Sequence, residues 1–315
     1  AFSAPAAKSS HPPATLGGKP LATPAVRRIA RENDVDLNLV PGSGLRGRIL
    51  VEDIQRYLES GGASADATPP PSVAHQPVVA AAEDRVVTVR GIQRAMVKSM
   101  TAAAAVPHLG FSDEINMNAL VELRKQLRPE LEKQGIRMSY MPFFLKAVSL
   151  ALQEYPILNS HVNQDASEMV YKASHNIGVA MDTPSGLLVP NIKNVQNLSL
   201  PQISQELLRL QAAGQAGKLS MNDLTGGTFT LSNIGAIGGT YASPILSLPE
   251  VAIGAIGKLQ LLPRFDADGN VIPTHIINFS WSADHRVIDG ATIARFSQLM
   301  SDYLTQPGKM LMAMK

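Results

Sequence analysis

At 315 residues the chain has room for more than one domain, and 45% hydrophobic content is enough for a sizeable core. A formal net charge of +2 gives no reason to expect nucleic acid, and no run of 18 apolar residues marks a membrane span. The absence of cysteine excludes disulfides, cysteine nucleophiles and thiolate metal sites, so any thiol chemistry must use thiols brought by substrates.

Residues 1–19 are rich in Ala, Pro and Ser without a hydrophobic period and read as a flexible linker. They lack the basic stretch and apolar core of a secretory signal. A small domain is expected over 20–60. Thr23 can cap a helix that starts at Pro24 and buries Val26, Ile29 and Ala30, and a second helix covers about 50–59. Between them, Gly42-Ser43-Gly44-Leu45-Arg46-Gly47 satisfies the dinucleotide fingerprint G-x-G-x-x-G. That reading fails, because a helical segment precedes it where a buried strand of a βαβ unit is required. The segment's six arginines balance six acids, yet Arg27, Arg28 and Arg31 share one helix and Arg46 and Arg48 the adjacent loop. Residues 61–83 contain three consecutive prolines and many alanines and read as a semi-extended spacer.

A large domain is expected over 84–315. The pattern predicts a helix over 91–105, a strand over 108–115 and a helix over 117–134 with Leu120, Leu123, Leu127 and Leu131 inward, and then a helix over 141–154. Strands near 176–182 and 186–193 flank the turn sequence Thr183-Pro184-Ser185-Gly186. Ser199 and Pro201 open a helix over 200–213, and an acidic capping box at Ser220-x-x-Asp223 follows. A strand near 227–232, an apolar run over 250–262, a hairpin signal at Asp268-Gly269 and a strand over 276–282 complete a mixed sheet with helices on it, an α+β two-layer pattern. In the last strand Ile277, Phe279 and Trp281 alternate with Asn278, Ser280 and Ser282, as in a half-buried strand. Asp289-Gly290 then marks a turn, and Ile293, Phe296, Met300, Tyr303 and Leu304 recur at helical spacing up to Pro307-Gly308. The apolar run Met310-Leu311-Met312-Ala313-Met314, where termini are normally polar, is expected to dock on a neighbouring chain.

His285 therefore stands at a strand end. An isolated histidine there is more often structural, and His108, His161, His175 and His275 show no metal-ligand spacing and are read as structural. The neighbours of His285 alter the reading. Ser-Trp-Ser-Ala-Asp followed by His-x-x-x-Asp-Gly resembles the active-site motif of the dihydrolipoamide acyltransferases of 2-oxo acid dehydrogenase complexes. Gly226-Gly227-Thr228-Phe229-Thr230-Leu231-Ser232-Asn233-Ile234-Gly235 resembles the other half of that site. Ala22-Thr23-Pro24-Ala25-Val26-Arg27-Arg28 and Gly44-Leu45-Arg46-Gly47-Arg48-Ile49 resemble the family's peripheral-subunit-binding domain. Ser-Asn-Ile-Gly-Ala-Ile-Gly-Gly-Thr-Tyr with Pro-Glu-Val-Ala-Ile-Gly-Ala is most similar to the branched-chain 2-oxo acid dehydrogenase member.

The resemblance implies a chloramphenicol-acetyltransferase-like catalytic domain that forms trimers and larger cores of 24 subunits. It implies transfer of a branched acyl group, of isobutyryl type, from dihydrolipoamide to coenzyme A, in the mitochondrial matrix or alternatively a bacterial cytoplasm. In that reading His285 is the base that deprotonates the CoA thiol, Ser232 donates to the tetrahedral oxyanion and Asp289 holds the loop geometry. Arg124, Ser139, Asp182, Gln211, Asn233 and Gly257 match CoA-contacting positions, and a further family serine is replaced by Ala236. Arg27, Arg28, Arg46 and Arg48 would dock the lipoamide dehydrogenase component and the 2-oxo acid decarboxylase component. The family's lipoyl domain, with its Asp-Lys-Ala type hairpin, has no counterpart in these residues, so the lipoyl carrier is expected upstream or on a separate protein. Acetyl or succinyl transfer and a catalytically silent scaffold are the alternatives. A serine hydrolase is disfavoured because no G-x-S-x-G occurs.

Overall fold

The computed structural model describes residues 15–16, 19–59, 84, 86–184 and 186–314, in two compact units, 1–86 and 87–315. The linker expected over 61–83 lies outside the described residues. Most of that expected over 1–19 lies outside them too, but Thr15–Leu16 (β1) and Lys19–Pro20 (β2) pair antiparallel, which the Ala/Pro/Ser composition did not announce.

In the small unit α1 (Pro24–Glu32) starts at Thr23, whose hydroxyl accepts from the Val26 N–H at 3.4 Å, and α2 (Val51–Glu59) packs against it. Val26, Ala30, Val40, Ile49 and Ile54 make the core. Asp53 is 3% exposed, so it is no part of a surface charge balance. Burial pushes its carboxyl up, but N–H donors from Ser43 and Leu50, each at 2.9 Å, outweigh this and hold it below the ordinary carboxylate value. The glycine-rich segment is thus a loop folded around a buried carboxylate.

The large unit begins with α3 (Gly91–Ala104), β3 (His108–Asn116) and α4 (Asn118–Lys133). Leu120 and Leu131 of α4 are buried as expected, whereas Leu127 is 36% exposed, because a 16-residue helix lying on a sheet buries only a narrow stripe. α5 (Met141–Glu154) is buried on all sides from Met141 to Leu152, Lys146 and Ser149 included, and runs through the centre. The small hairpin of β4 (Ser160–Val162) and β5 (Met169–Tyr171) follows. The predicted hairpin is present, but its second arm is split into β7 (Gly186–Leu188) and β8 (Asn191–Ile192), both pairing with β6 (Ile177–Thr183). The split falls at Pro190, which has no N–H to give a ladder. Next come α6 (Leu200–Gln215), α7 (Met221–Leu224) and β9 (Phe229–Asn233). β10 (Ala252–Ile256), β11 (Gln260–Phe265) and β12 (Val271–Asp284) close the sheet, covered by α8 (Gly290–Thr305) and α9 (Pro307–Ala313).

β12 is the longest strand. It pairs antiparallel with β3, β10 and β11; β9 runs parallel to β10, and β6 parallel to β9. Trp281 and Phe279 stack with centroids 5.6 Å apart on the helix-covered face, and the indole N–H donates to Ser297 of α8 at 3.0 Å. A side chain at Gly254 would collide with that indole, which explains a glycine in the middle of β10. Asn278, Ser280 and Ser282, expected to be half exposed, are 2%, 2% and 4% exposed. The segment after β9 lies across them, with the Ala242 N–H donating to Ser280 Oγ at 3.3 Å. At the C-terminus Met310 packs back into its own subunit's core, while Leu311 and Met312 project, 57% and 87% exposed. Among the described residues no helix is long and apolar enough to cross a membrane, and no acidic, His or Cys cluster could hold a metal ion.

Candidate active site

His285 follows the last residue of β12, and its backbone N–H donates to the Pro107 carbonyl at 2.9 Å. The imidazole Nδ1 lies 2.9 Å from the Ile288 carbonyl oxygen. A carbonyl only accepts, so Nδ1 carries the proton and Nε2 presents a lone pair. His285 is exposed in the single chain. The turn that carries it is braced by an ion pair that the motif alone did not reveal. Asp284, fully buried, accepts from Arg286 Nη2 at 2.7 Å and Nε at 2.9 Å, and from the Arg286 N–H at 3.0 Å. Arg286 also donates to the Gln164 carbonyl at 2.8 Å. The alternation of charge in Asp-His-Arg was the available signal.

Asp289 is not a partner of the imidazole. It caps α8, accepting from the Thr292 N–H at 2.7 Å and facing the Thr292 hydroxyl at 3.1 Å, and the N–H bond holds its carboxyl below the ordinary value. What reads in sequence as a turn at Asp289-Gly290 is therefore a helix start, and its effect on His285 is to fix the Ile288 carbonyl.

Ser232 sits near the C-terminal end of β9, and its hydroxyl has no hydrogen-bond partner among the described residues. The register places Ser232 beside Ala255 and Ala180, and Ala255 beside Ser280. His285 lies five residues beyond Ser280, at the opposite end of the sheet. At ~3.4 Å per residue and ~4.8 Å per strand, Ser232 and His285 of one chain are roughly 20 Å apart. No hydrogen bond or common substrate atom bridges that gap within one chain.

The residues expected at a CoA site gather beside Ser232. Asp182, Gln211, Asn233 and Ala236 line an open cavity of about 360 Å³ between α6 and the sheet, with Met141 in its wall. Asn233 Nδ2 lies 3.6 Å from the Met141 sulfur. Ser139 and Arg124 adjoin this wall: the Ser139 hydroxyl accepts from the Met141 N–H at 3.3 Å, and Arg124 donates to the Met138 carbonyl at 3.0 Å while lying 4.6 Å over the Tyr140 ring. Gly257 differs from the others. It is buried, and a side chain there would collide with the Thr240 carbonyl, as one at Gly235 would with Gly257 itself. Its place is beneath the glycine-rich segment that frames the cavity.

The other histidines are tied into the fold. His108 Nδ1 donates to the Val106 carbonyl at 2.8 Å and Nε2 accepts from Leu246 N–H at 3.1 Å; His275 contacts Asn118 at 3.0 Å. His161 contacts the Gly227 carbonyl at 2.9 Å and His175 the Ser149 hydroxyl at 2.8 Å, and burial lowers the pKa of both. In the small unit Arg27 donates to the Pro20 carbonyl at 2.6 Å, Arg28 pairs with Glu32 on the surface at 3.6 Å, and Arg48 is exposed. The Arg46 side chain lies outside the described residues.

Residues 81–312 match the family model described as 2-oxoacid dehydrogenases acyltransferase (catalytic domain), and residues 20–55 match that of an e3 binding domain. The chain is 53% identical to the lipoamide acyltransferase component of the branched-chain alpha-keto acid dehydrogenase complex, mitochondrial, of Mus musculus, over 95% of this chain and 65% of that protein. It is 37% identical to the dihydrolipoyllysine-residue acetyltransferase component of the pyruvate dehydrogenase complex of Staphylococcus aureus, over 92% of this chain and 70% of that one. The chain thus spans just under two thirds of the length of its mouse relative. Among solved structures, the dihydrolipoamide acetyltransferase of Azotobacter vinelandii superposes with a TM-score of 0.70 at 33% identity, covering 77% of this chain and 98% of that one. A serine, a histidine and an asparagine have been investigated there for their role in the catalytic mechanism, the last two four positions apart, as His285 and Asp289 are here.

Proposed function

Because the chain belongs to the 2-oxoacid dehydrogenases acyltransferase family, we propose that it transfers a branched-chain acyl group, of isobutyryl type, from a dihydrolipoyl thiol to coenzyme A. The carrying observation is the tautomer of His285: Nδ1 is committed to the Ile288 carbonyl, which leaves Nε2 as a base at an exposed strand end. A thiol with a pKa near ~8.5 is mostly protonated at neutral pH, and an imidazole near ~6.5 is a suitable acceptor for its proton.

In this reading His285 Nε2 removes the CoA thiol proton, and the sulfur forms a bond to the thioester carbonyl carbon. Ser232 donates its hydroxyl to the developing oxyanion, an interaction typically worth ~3 kcal/mol at the transition state. As the tetrahedral adduct collapses, the bond to the dihydrolipoyl sulfur breaks and His285 returns the proton to that sulfur. Asp289 and the Asp284–Arg286 pair act only by positioning the turn. Asp182, Gln211, Asn233, Arg124 and Ser139 would hold CoA, with Gly257 shaping the wall and one contact missing at Ala236. The roughly 20 Å between Ser232 and His285 within a chain supports a site built by two subunits, hence a trimer, and such trimers would join into a 24-subunit core. One solved relative is the cubic core of the pyruvate dehydrogenase multienzyme complex, with a TM-score of 0.70 at 32% identity.

The 20–60 unit would dock the lipoamide dehydrogenase component, and the decarboxylase component, through Arg27, Arg28, Arg46 and Arg48, with an affinity that falls as salt rises. The lipoyl group would come from a lipoyl domain outside the described residues. The mitochondrial relative supports a location in the matrix. An assay of acyl-CoA formation with isobutyryl-, acetyl- and succinyl-dihydrolipoamide tests the reading. Turnover fastest with isobutyryl is expected; no turnover with any donor leaves only a scaffold.

A further inference from the structure

β9 presents two hydroxyls to one face of the sheet, and the mechanism uses only one of them. Thr230 and Ser232 stand two residues apart, so both project from the face opposite the buried Phe229 and Leu231, roughly 7 Å from each other along the strand. Thr230 is 2% exposed and donates its hydroxyl hydrogen to Glu250 Oε2 at 2.7 Å. Glu250 stands just before β10 and is itself 6% exposed. Its other carboxyl oxygen, Oε1, packs so closely on Gly227 that a side chain added there would meet it at 2.8 Å. The Glu250 carboxyl therefore lies on the same face as Ser232, on the order of 8 Å from the Ser232 hydroxyl.

A buried carboxyl without a cation beside it is stable only as the neutral acid. The charged and titratable groups on the elements around Glu250 are engaged elsewhere. His161 of β4 faces the Gly227 carbonyl, and Lys193, which follows β8, donates to the Thr225 carbonyl. Asp223 of α7 pairs with Arg209, and Asp284 pairs with Arg286. β9 and β10 carry no charged residue. Burial therefore governs the Glu250 carboxyl and pushes it up to about 7, against the Thr230 hydrogen bond. The consequence bears on the chemistry at Ser232. Two negative charges on the order of 10 Å apart, at an effective dielectric constant of ~20, repel enough to slow a reaction about tenfold, and salt screens buried charges poorly.

We propose that Glu250 serves the acyl transfer as a neutral acid: it holds the Thr230 hydroxyl and keeps the face beside Ser232 free of negative charge, so that the oxyanion forms there without repulsion. Glu250 touches no reacting atom; it acts through the field at Ser232, and loss of its proton slows the chemical step. The inference rests on the acyl-transfer reading above. Single-turnover rates of transfer from free isobutyryl-dihydrolipoamide to saturating CoA, measured in the full chain from about pH 6 to about pH 9, test it. The ratio of the Glu250→Gln rate to the wild-type rate cancels the titration of His285 and of the substrate thiols, which both proteins share. That ratio should rise about tenfold with pH, with its midpoint near neutrality, while the KM values for both substrates stay alike. A ratio that does not vary with pH overturns the proposal, since a merely structural role lowers the rate uniformly. Thr230→Val removes a hydrogen bond that favours the ionised carboxyl, so its rate should hold to higher pH than that of wild type. An alkaline fall at the same or a lower pH overturns the proposal, and this variant decides it if Glu250→Gln does not fold. A wild-type chain inactive with every acyl donor sinks the acyl-transfer reading and this proposal with it, whereas an active chain with a flat ratio sinks this proposal alone.

Discussion

Ser232 of β9 is level with Ser280 of β12, through Ala255, while His285 emerges five residues further along β12, at the other end of the sheet. Strand geometry separates Ser232 from His285 by roughly 20 Å within a chain, so the acyl-transfer mechanism proposed above requires the two residues to come from different chains. Mixing His285→Ala and Ser232→Ala subunits should therefore restore acyl-CoA formation that each variant lacks, because some interfaces then contain both intact residues. Verified mixed trimers without activity would reject the shared site.

Asp284 and Arg286 clamp the turn that aims His285. Asp284 is buried but the Arg286 side chain is 25% exposed, so removing Asp284 loses charge-assisted hydrogen bonds and leaves a charge that water partly solvates, at a cost of about 1–3 kcal/mol. Asp284→Ala should lower unfolding stability by that order in urea denaturation and reduce kcat. Arg286→Lys, which keeps the charge but loses the fork, should be intermediate in both. Equal stability of Asp284→Ala and wild type would show that the turn is held by other contacts.

The fold was legible where periodicity or capping chemistry was strong. Thr23, Ser199 and Ser220 cap the helices that their sequence context announced, and the Asp268-Gly269 hairpin joins β11 to β12 as read. The burial of Asn278, Ser280 and Ser282 was not legible, since it depends on an irregular segment more than 35 positions away folding over the sheet. Asp289 could be singled out from its spacing to His285, but the N-cap that defines its role depends on how the helix begins. The Asp284–Arg286 clamp was hidden for a similar reason: local sequence specifies side chains, whereas their surroundings are set by register between distant strands.

Glu250 gives the fold a pH dependence near neutrality. Burial pushes its carboxyl up to about 7, against the hydrogen bond that the Thr230 hydroxyl donates at 2.7 Å. A carboxyl with a raised folded pKa binds its proton more tightly in the native state, so its contribution to stability is greatest below its unfolded pKa near ~4.3. It declines as pH rises to about 7 and then levels off. Glu250→Gln should flatten this decline, by roughly 3 kcal/mol between pH 4 and 8. Urea midpoints of both proteins across that range check it, and parallel profiles would count against a buried titrating Glu250.

The C-terminal helix divides its apolar side chains between two tasks. Met310 is buried in its own subunit, whereas Leu311 and Met312 project into solvent from the single chain. Truncation after Gly308 would therefore confound two effects, since loss of Met310 opens a cavity and destabilises the subunit by about 2–5 kcal/mol. Leu311→Ser combined with Met312→Ser leaves Met310 in place and removes only the exposed pair. If that pair docks on a neighbouring trimer, the double variant should sediment as trimers with an unchanged melting temperature for the isolated trimer, and it should keep acyl-transfer activity. A large assembly persisting in the double variant would assign those contacts to another surface of the subunit.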